Sequence, residues 1–202
     1  MERQITGFHI DEVGDWVAEL SCGHDQHVRH RPPFQVRPWV LTTDGRSGRL
    51  GSPIDCPLCD RAEFPLGLRL LDSSPEWDEL SVPPGLLRAH RIPARRWGRL
   101  EVRHGRLGFT AATRPVIDAV LGPNSVQAIP PQVEHHVELL GPVGFSIGFF
   151  AIDGRAVGEP PKGGIGLPEH GDPACWSGLI CPECGAVLDG GRHRPGCTLM
   201  RS

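Results

Sequence analysis

The chain has no tyrosine and a single lysine, Lys162, beside twenty arginines, and its net charge is −3 over 202 residues. Without Tyr and with a slight negative balance it lacks both the aromatic interleaving and the cationic surface that hold nucleic acid, so a nucleic-acid partner is not expected. The near absence of Lys reads as the codon bias of a GC-rich genome rather than as selection for guanidinium chemistry. No apolar run approaches the ~20 residues a membrane span needs. The nearest, Phe145 to Ile152, is short and carries Gly148. Glu2, Arg3 and Gln4 open the chain without the apolar core of a signal peptide, so a soluble cytoplasmic protein without a membrane partner is expected. With 26 Gly and 21 Pro long helices cannot dominate the chain, which rules out an all-helical bundle. No repeat of propeller or solenoid period is present.

Cysteine is also missing from the middle of the chain: all seven lie before Phe64 or after Lys162. An odd number without a secretion signal argues against a disulfide framework and toward metal ligation. Their positions divide the chain into a Cys/His module over 1–62, a central domain over 66–153, a Gly/Pro-rich linker over 154–177 and a Cys-rich tail over 178–202. The first module opens with a hairpin, Ile5 to Ile10 and Trp16 to Leu20, followed by a strand near Trp39 to Leu41 and a Gly/Ser loop reaching Cys56. Sixty residues bury little core, so a metal or a partner is needed for stability. The central part reads as short strands between turns: Arg99 to Val102, Arg106 to Thr110, Pro115 to Val120, Ser125 to Ile129, His136 to Leu140 and Phe145 to Ile152. Alternation places Leu100 and Val102 on one face and Arg99, Glu101 and Arg103 on the other.

Two groups have the spacing of zinc ligands. In the tail, Cys181 and Cys184 form C-x-x-C, and His193 and Cys197 follow as H-x-x-x-C, the set for a closed tetrahedral site of zinc-ribbon or knuckle type. A redox pair is the alternative reading. In the first module a Cys-Gly-His turn, Cys22 and His24, meets Cys56-Pro-Leu-Cys59, a Cys3His set in which His27 and His30 compete with His24 for the histidine place. Cys175 belongs to neither group. Both sites are expected to hold structural zinc, which in so small a module is also folding energy.

The stretches Gly14 to Pro33, Arg37 to Thr42 and Asp55 to Cys59 resemble a small bacterial domain of unknown function, marked by G-D-W-V-A-E-L-x-C-G-H-x-Q-H-V-R-H-x-P-P, R-P-W-V-L-T and D-C-x-x-C. That likeness supplies no activity. The central part carries G-L-L-R-x-H at Gly85 to His90, W-G-R-L-x-V-x-x-G-x-L at Trp97 to Leu107, and I-P-P-Q-x-x-H at Ile129 to His135. Together these resemble the TehB/YeaR-like cupin domain associated with tellurite resistance. The resemblance implies a small double-stranded β-helix (cupin) barrel, which with the two zinc-binding groups makes the expected fold mainly β: a barrel flanked by an N-terminal zinc-binding β module and the zinc-binding tail. It also implies a metal in the barrel mouth on His90 and His135, with Gln132 or Glu134 as oxygen ligands, and the spacing does not choose among Zn, Fe, Mn and Ni. Two ordinary histidines on a barrel wall are the alternative. The second cupin histidine is replaced by Ile92, and the place of the cupin Glu falls near Gly98.

Full TehB proteins join such a segment to a methyltransferase, but this chain has no Gly-rich nucleotide turn and no room for one, so that chemistry does not transfer. Arg88, Arg91, Arg95, Arg96, Arg99, Arg103 and Arg106 lie beside His90, and guanidinium groups could hold an oxyanion. Solvent-facing arginines on edge strands are the plainer reading. The first functional expectation is a metal-binding cupin that senses, binds or detoxifies a small-molecule or oxyanion ligand such as tellurite, in resistance or stress response, with a homodimer through the barrel. A non-haem metal-dependent oxygenase and a zinc-dependent nucleic-acid or protein adaptor are the alternatives. Oxygen consumption with Fe(II) would single out the former, salt-sensitive retention of DNA or RNA the latter.

Overall fold

The computed structural model describes residues 1–152. The expectations for Cys175, for the linker over 154–177 and for the tail with Cys181, Cys184, His193 and Cys197 lie outside the described residues. Among the described residues no helix is long and apolar enough to cross a membrane.

The chain is mainly β. Strand β1 (Glu2–Ile10) and β2 (Trp16–Leu20) form the expected hairpin, and β3 (Asp25–His27) and β4 (Pro53–Asp55) complete a four-stranded sheet in the order β3-β2-β1-β4. The Asp11 carboxylate accepts from the backbone N–H groups of Val13 and Asp15 at 3.0 and 2.8 Å, which sets the turn between β1 and β2. Where a strand was expected near Trp39 to Leu41 the chain forms a 3-10 turn, Pro38–Leu41. Pro38 fixes φ for a helical start and brings no N–H to a ladder, so its position outweighs the β propensity of Trp39 and Val40. The supposed Gly/Ser loop holds α1 (Thr43–Ser47), capped by the Thr42 hydroxyl, which accepts from Gly45 N–H at 3.1 Å. A single turn, α2 (Pro57–Asp60), carries the second half of the Cys-x-x-Cys segment.

The rest of the described chain makes two antiparallel sheets. One contains β10 (His135–Leu139), β7 (Leu107–Ala111) and β8 (Ile117–Leu121), in that order. The other runs β5 (Leu68–Ser73), β11 (Gly144–Ile152), β6 (Arg96–His104), β9 (Val126–Ile129). Each expected central strand is present, with ends that differ by at most three residues. Between them the two sheets enclose one apolar core containing Leu100 and Val102 of β6, Phe145 and Ile147 of β11, Phe109 of β7 and Val137 of β10.

Alternation along β6 decides how the layers stack. Leu100 and Val102 face this core, whereas Trp97, an odd number of positions away, lies on the other face among Leu20, Cys22, Val28, Cys56 and Cys59 of the N-terminal part. The four-stranded sheet is therefore covered on both sides: by β7, β8 and β10 on one, and by the N-terminal module on part of the other. At the β6 to β7 turn Gly105 has φ +75°, and a Cβ there would stand 2.1 Å from the Pro142 carbonyl oxygen, so only glycine lets this turn lie against the next.

Candidate metal centre and the paired histidines

The turn between β2 and β3 presents the first two ligands. Gly23 N–H donates to the Leu20 carbonyl at 2.8 Å, and Gly23 takes φ +88°, which reverses the chain between Cys22 and His24 and turns both side chains inward. The other two come from the start and the end of α2, where Cys56 precedes Pro57 and the short turn returns Cys59 to the same side. All four residues are buried, and the three sulfurs and one imidazole nitrogen lie within 4.8 Å of one another. His24 Nδ1 is 3.5 Å from Cys22 Sγ, 3.3 Å from Cys56 Sγ and 3.6 Å from Cys59 Sγ, and Cys22 Sγ is 3.8 Å from Cys56 Sγ.

These separations can be compared with the edges of a coordination tetrahedron. Bonds of about 2.3 Å to sulfur and about 2.0–2.1 Å to nitrogen give edges of roughly 3.8 Å between sulfurs and roughly 3.6 Å between sulfur and nitrogen. The donor set and its spacing fit a metal such as zinc, with every position of a tetrahedron supplied by protein. Electrostatics agree. Cys56 is pushed well down, chiefly because the Cys22 and Cys59 thiols donate hydrogen bonds to its thiolate, and Cys22 is pushed up by that same hydrogen bond to Cys56. Burial opposes a charge on His24, but hydrogen bonds to Cys56 and Cys59 and their charge outweigh burial and raise it to about 9. A pocket that favours a thiolate and a cation together is one in which a metal replaces protons.

The competing histidines lie elsewhere. His27 is exposed, with Nε2 2.8 Å from the Asp11 carboxylate, and His30 Nδ1 accepts from the Arg37 backbone N–H at 2.9 Å. The three described cysteines are free.

Two residues outside the sequence motif complete the surroundings. Trp97 of β6 donates its indole N–H to the Cys22 carbonyl at 2.8 Å, and its ring meets His24 in a T-shaped contact with centroids 5.4 Å apart. Arg3 of β1, 8% exposed, donates Nε–H to Cys59 Sγ at 3.3 Å and Nη2–H to the Pro131 carbonyl at 2.9 Å. Sequence spacing had no access to either, since both reach the site through tertiary packing.

A second arrangement is built from His90 and His135. His135 points inward from β10 on the same face as Val137, and both histidines are buried. A two-way backbone bridge holds them side by side: His90 N–H donates to the His135 carbonyl at 3.0 Å and His135 N–H to the His90 carbonyl at 2.9 Å. Their rings are 4.2 Å apart. His90 Nδ1 lies 2.7 Å from the Arg88 carbonyl and His135 Nδ1 2.8 Å from the Val133 carbonyl. A carbonyl only accepts, so Nδ1 bears the proton in each neutral ring and Nε2 carries the lone pair, the tautomer in which histidine commonly ligates metals. Burial, and next the charge of His90, pull His135 down to about 3.

The oxygen ligands expected beside them are not gathered. Gln132 and Glu134 are exposed, and Glu134 pairs with Arg91 at 3.1 Å. At Gly98 a Cβ would come within 3.1 Å of Ile129, so no side chain enters from the position near the expected Glu. Among the described residues only Cys22, His24, Cys56 and Cys59 bring three or more ligand atoms together. Within the arginine stretch, Arg91 is taken by Glu134. Arg99 and Arg103 face outward from β6, opposite Leu100, and Arg103 pairs with Glu101 at 3.0 Å.

Residues 6–63 match a family described as a protein of unknown function (DUF3565), and residues 72–147 match the TehB-like domain, in the order the sequence motifs implied. Among solved structures the chain is similar to a protein from E. coli strain K12, at 22% identity over 46% of this chain and 98% of that one, with a TM-score of 0.42. It is similar also to TehB from Haemophilus influenzae, at 27% identity over 43% of this chain and 32% of that one, with a TM-score of 0.40. A third likeness is to FeII HppE, at 16% identity over 42% of this chain and 43% of that one, TM-score 0.30. The match spans about a third of the TehB chain. No curated protein matches.

Proposed function

We propose that this chain, which matches DUF3565 and then the TehB-like domain, is a zinc-stabilised cupin-type protein that binds a small ligand, an oxyanion such as tellurite being the example its motif resemblance suggests. Cys22, His24, Cys56 and Cys59 hold structural zinc. With all four positions filled by protein the centre has no open place for substrate, so its work is to fix the N-terminal module against β6.

The ligand-facing role falls to His90 and His135, as the base of a divalent-metal site in the TehB-like region. The observation that carries this reading is the pair of buried imidazoles whose Nδ1 atoms both lie against backbone carbonyls two residues back. Such anchoring orients Nε2 and raises its basicity. The oxygenase alternative gains nothing from the geometry, because a face of two histidines and one carboxylate needs an acid that neither Gly98 nor the Arg91-paired Glu134 supplies.

Elemental analysis of protein purified without added metal tests the reading. A His90→Ala, His135→Ala double variant should lose one metal per chain and keep its zinc, while Cys59→Ser should lose zinc and keep the other metal. Tellurite or nitrite should then shift the melting temperature of the wild type and not that of the double variant. Identical metal content in the wild type and the histidine variant, with no oxyanion response, would overturn the barrel site.

A further inference from the structure

Arg3 is 8% exposed, and a guanidinium stays charged at any working pH. A buried cation is stable only where a countercharge and hydrogen-bond acceptors meet it. Among the described residues Arg3 has no carboxylate partner; its side chain donates to Cys59 Sγ, to the Pro131 carbonyl and to the Met1 thioether. Of these three groups only the cysteine sulfur can be anionic. One divalent zinc on three thiolates and a neutral imidazole leaves one net negative charge at the centre, which Arg3 balances from a hydrogen bond to one of its sulfurs.

The other end of the guanidinium holds Pro131. That residue opens the segment in which Gln132 N–H donates to the Ile92 carbonyl and Val133 accepts from the His135 ring. We propose that Arg3 is the counter-ion of the zinc centre and a positioning residue for the loop that orients His135, so that one side chain serves both sites. The proposal rests on the zinc reading above. It accounts for a buried arginine that neither sequence motif contains, and for its use of two nitrogens on two parts of the fold.

Full-length Arg3→Met and Arg3→Lys test it by chelator competition for the zinc that Cys59→Ser removes, and by hydrogen exchange at the Gln132 and His135 amides. Arg3→Met should bind that zinc about 10–100-fold more weakly, the usual effect of losing a partner of a metal ligand. Arg3→Lys restores the charge and should recover most of the affinity. It should still exchange faster at Gln132 and His135, because one ammonium cannot reproduce the planar fork that spans sulfur and carbonyl. In cobalt-loaded protein the thiolate charge-transfer band should shift in Arg3→Met and return toward wild type in Arg3→Lys. Wild-type zinc affinity in Arg3→Met, or equal weakness in both variants, would overturn the counter-ion role. Unchanged exchange in Arg3→Lys would overturn the positioning role. If Cys59→Ser instead holds as much zinc as the wild type, the zinc reading itself falls and this one with it.

Discussion

Trp97 donates its indole N–H to the carbonyl of Cys22 at 2.8 Å. One residue belongs to β6 of the TehB-like region and the other is a ligand of the N-terminal cluster, so the bond crosses the boundary between two sequence families. Trp97 is fully buried there, against His24 and Phe64. The two regions share a core in which Cys22, Cys56 and Cys59 are packing partners of Trp97, and they are expected to unfold as one unit.

Trp97→Ala should therefore cost about 3–5 kcal/mol, the range for emptying a buried aromatic site. Trp97→Phe keeps most of the packing and leaves the Cys22 carbonyl without its donor, at about 1–3 kcal/mol. Urea unfolding followed by circular dichroism measures both. A loss confined to the N-terminal module, with the sheet signal unchanged, would contradict the shared core.

Gly23 should resist substitution. Its φ of +88° costs a non-glycine residue about 1–2 kcal/mol, and a Cβ would also stand 2.6 Å from Ile152 Cγ1. Gly23→Ala is expected to lower both the melting midpoint and the zinc occupancy, because the turn carries Cys22 and His24. Calorimetry of the zinc-loaded and chelated forms separates the two effects; a fully stable, fully loaded variant would show that the turn tolerates another shape.

Of the three histidines in the Cys-Gly-His segment, only His24 should matter for zinc. His24→Ala should lower the content by one ion per chain, while His27→Ala and His30→Ala leave it as it was, since those side chains engage Asp11 and Arg37 instead. Zinc analysis on the three purified variants decides this directly.

Acid should destabilise the fold through His135. Its folded-state value of about 3 lies below the ordinary 6.5, so below pH 6.5 the unfolded chain takes up a proton that the folded one refuses. Stability from this group is full above pH 6.5 and declines as pH falls toward 3, with a limiting slope of about 1.4 kcal/mol per pH unit. Unfolding free energies of chelated protein at pH 7 and pH 5 should differ less in His135→Gln than in the wild type. Equal differences would show that His135 does not carry the acid dependence.

The Cys3His cluster was legible because its spacing is a chemical pattern: two ligands two residues apart on one turn, two more three residues apart on another. The choice of histidine was not, since it depends on the path of the chain. His27 falls on β3, whose pairing with β2 turns it to solvent, while Gly23 directs His24 inward. Strand β5 escaped notice because Leu70 and Leu71 are both partly or largely exposed on an edge strand, so the usual alternation is missing. Near Trp39, aromatic and branched residues outvoted Pro38 in the reading and lost to it in the fold. The contacts of Arg3 and Trp97 with the cluster could not be read, because neither sits near the cysteines in sequence and both contacts arise only when distant segments of the chain meet.

The placement of Trp97 also sets an order of assembly. All four cluster ligands leave the ribosome before Trp97 does, and chains emerge and fold from the amino end. A metal at the cluster would thus be captured by the nascent chain while one side is still open to solvent, and the arrival of β6 would close that side. On the zinc reading, ion entry would be a task for the growing polypeptide and retention a property of the finished one.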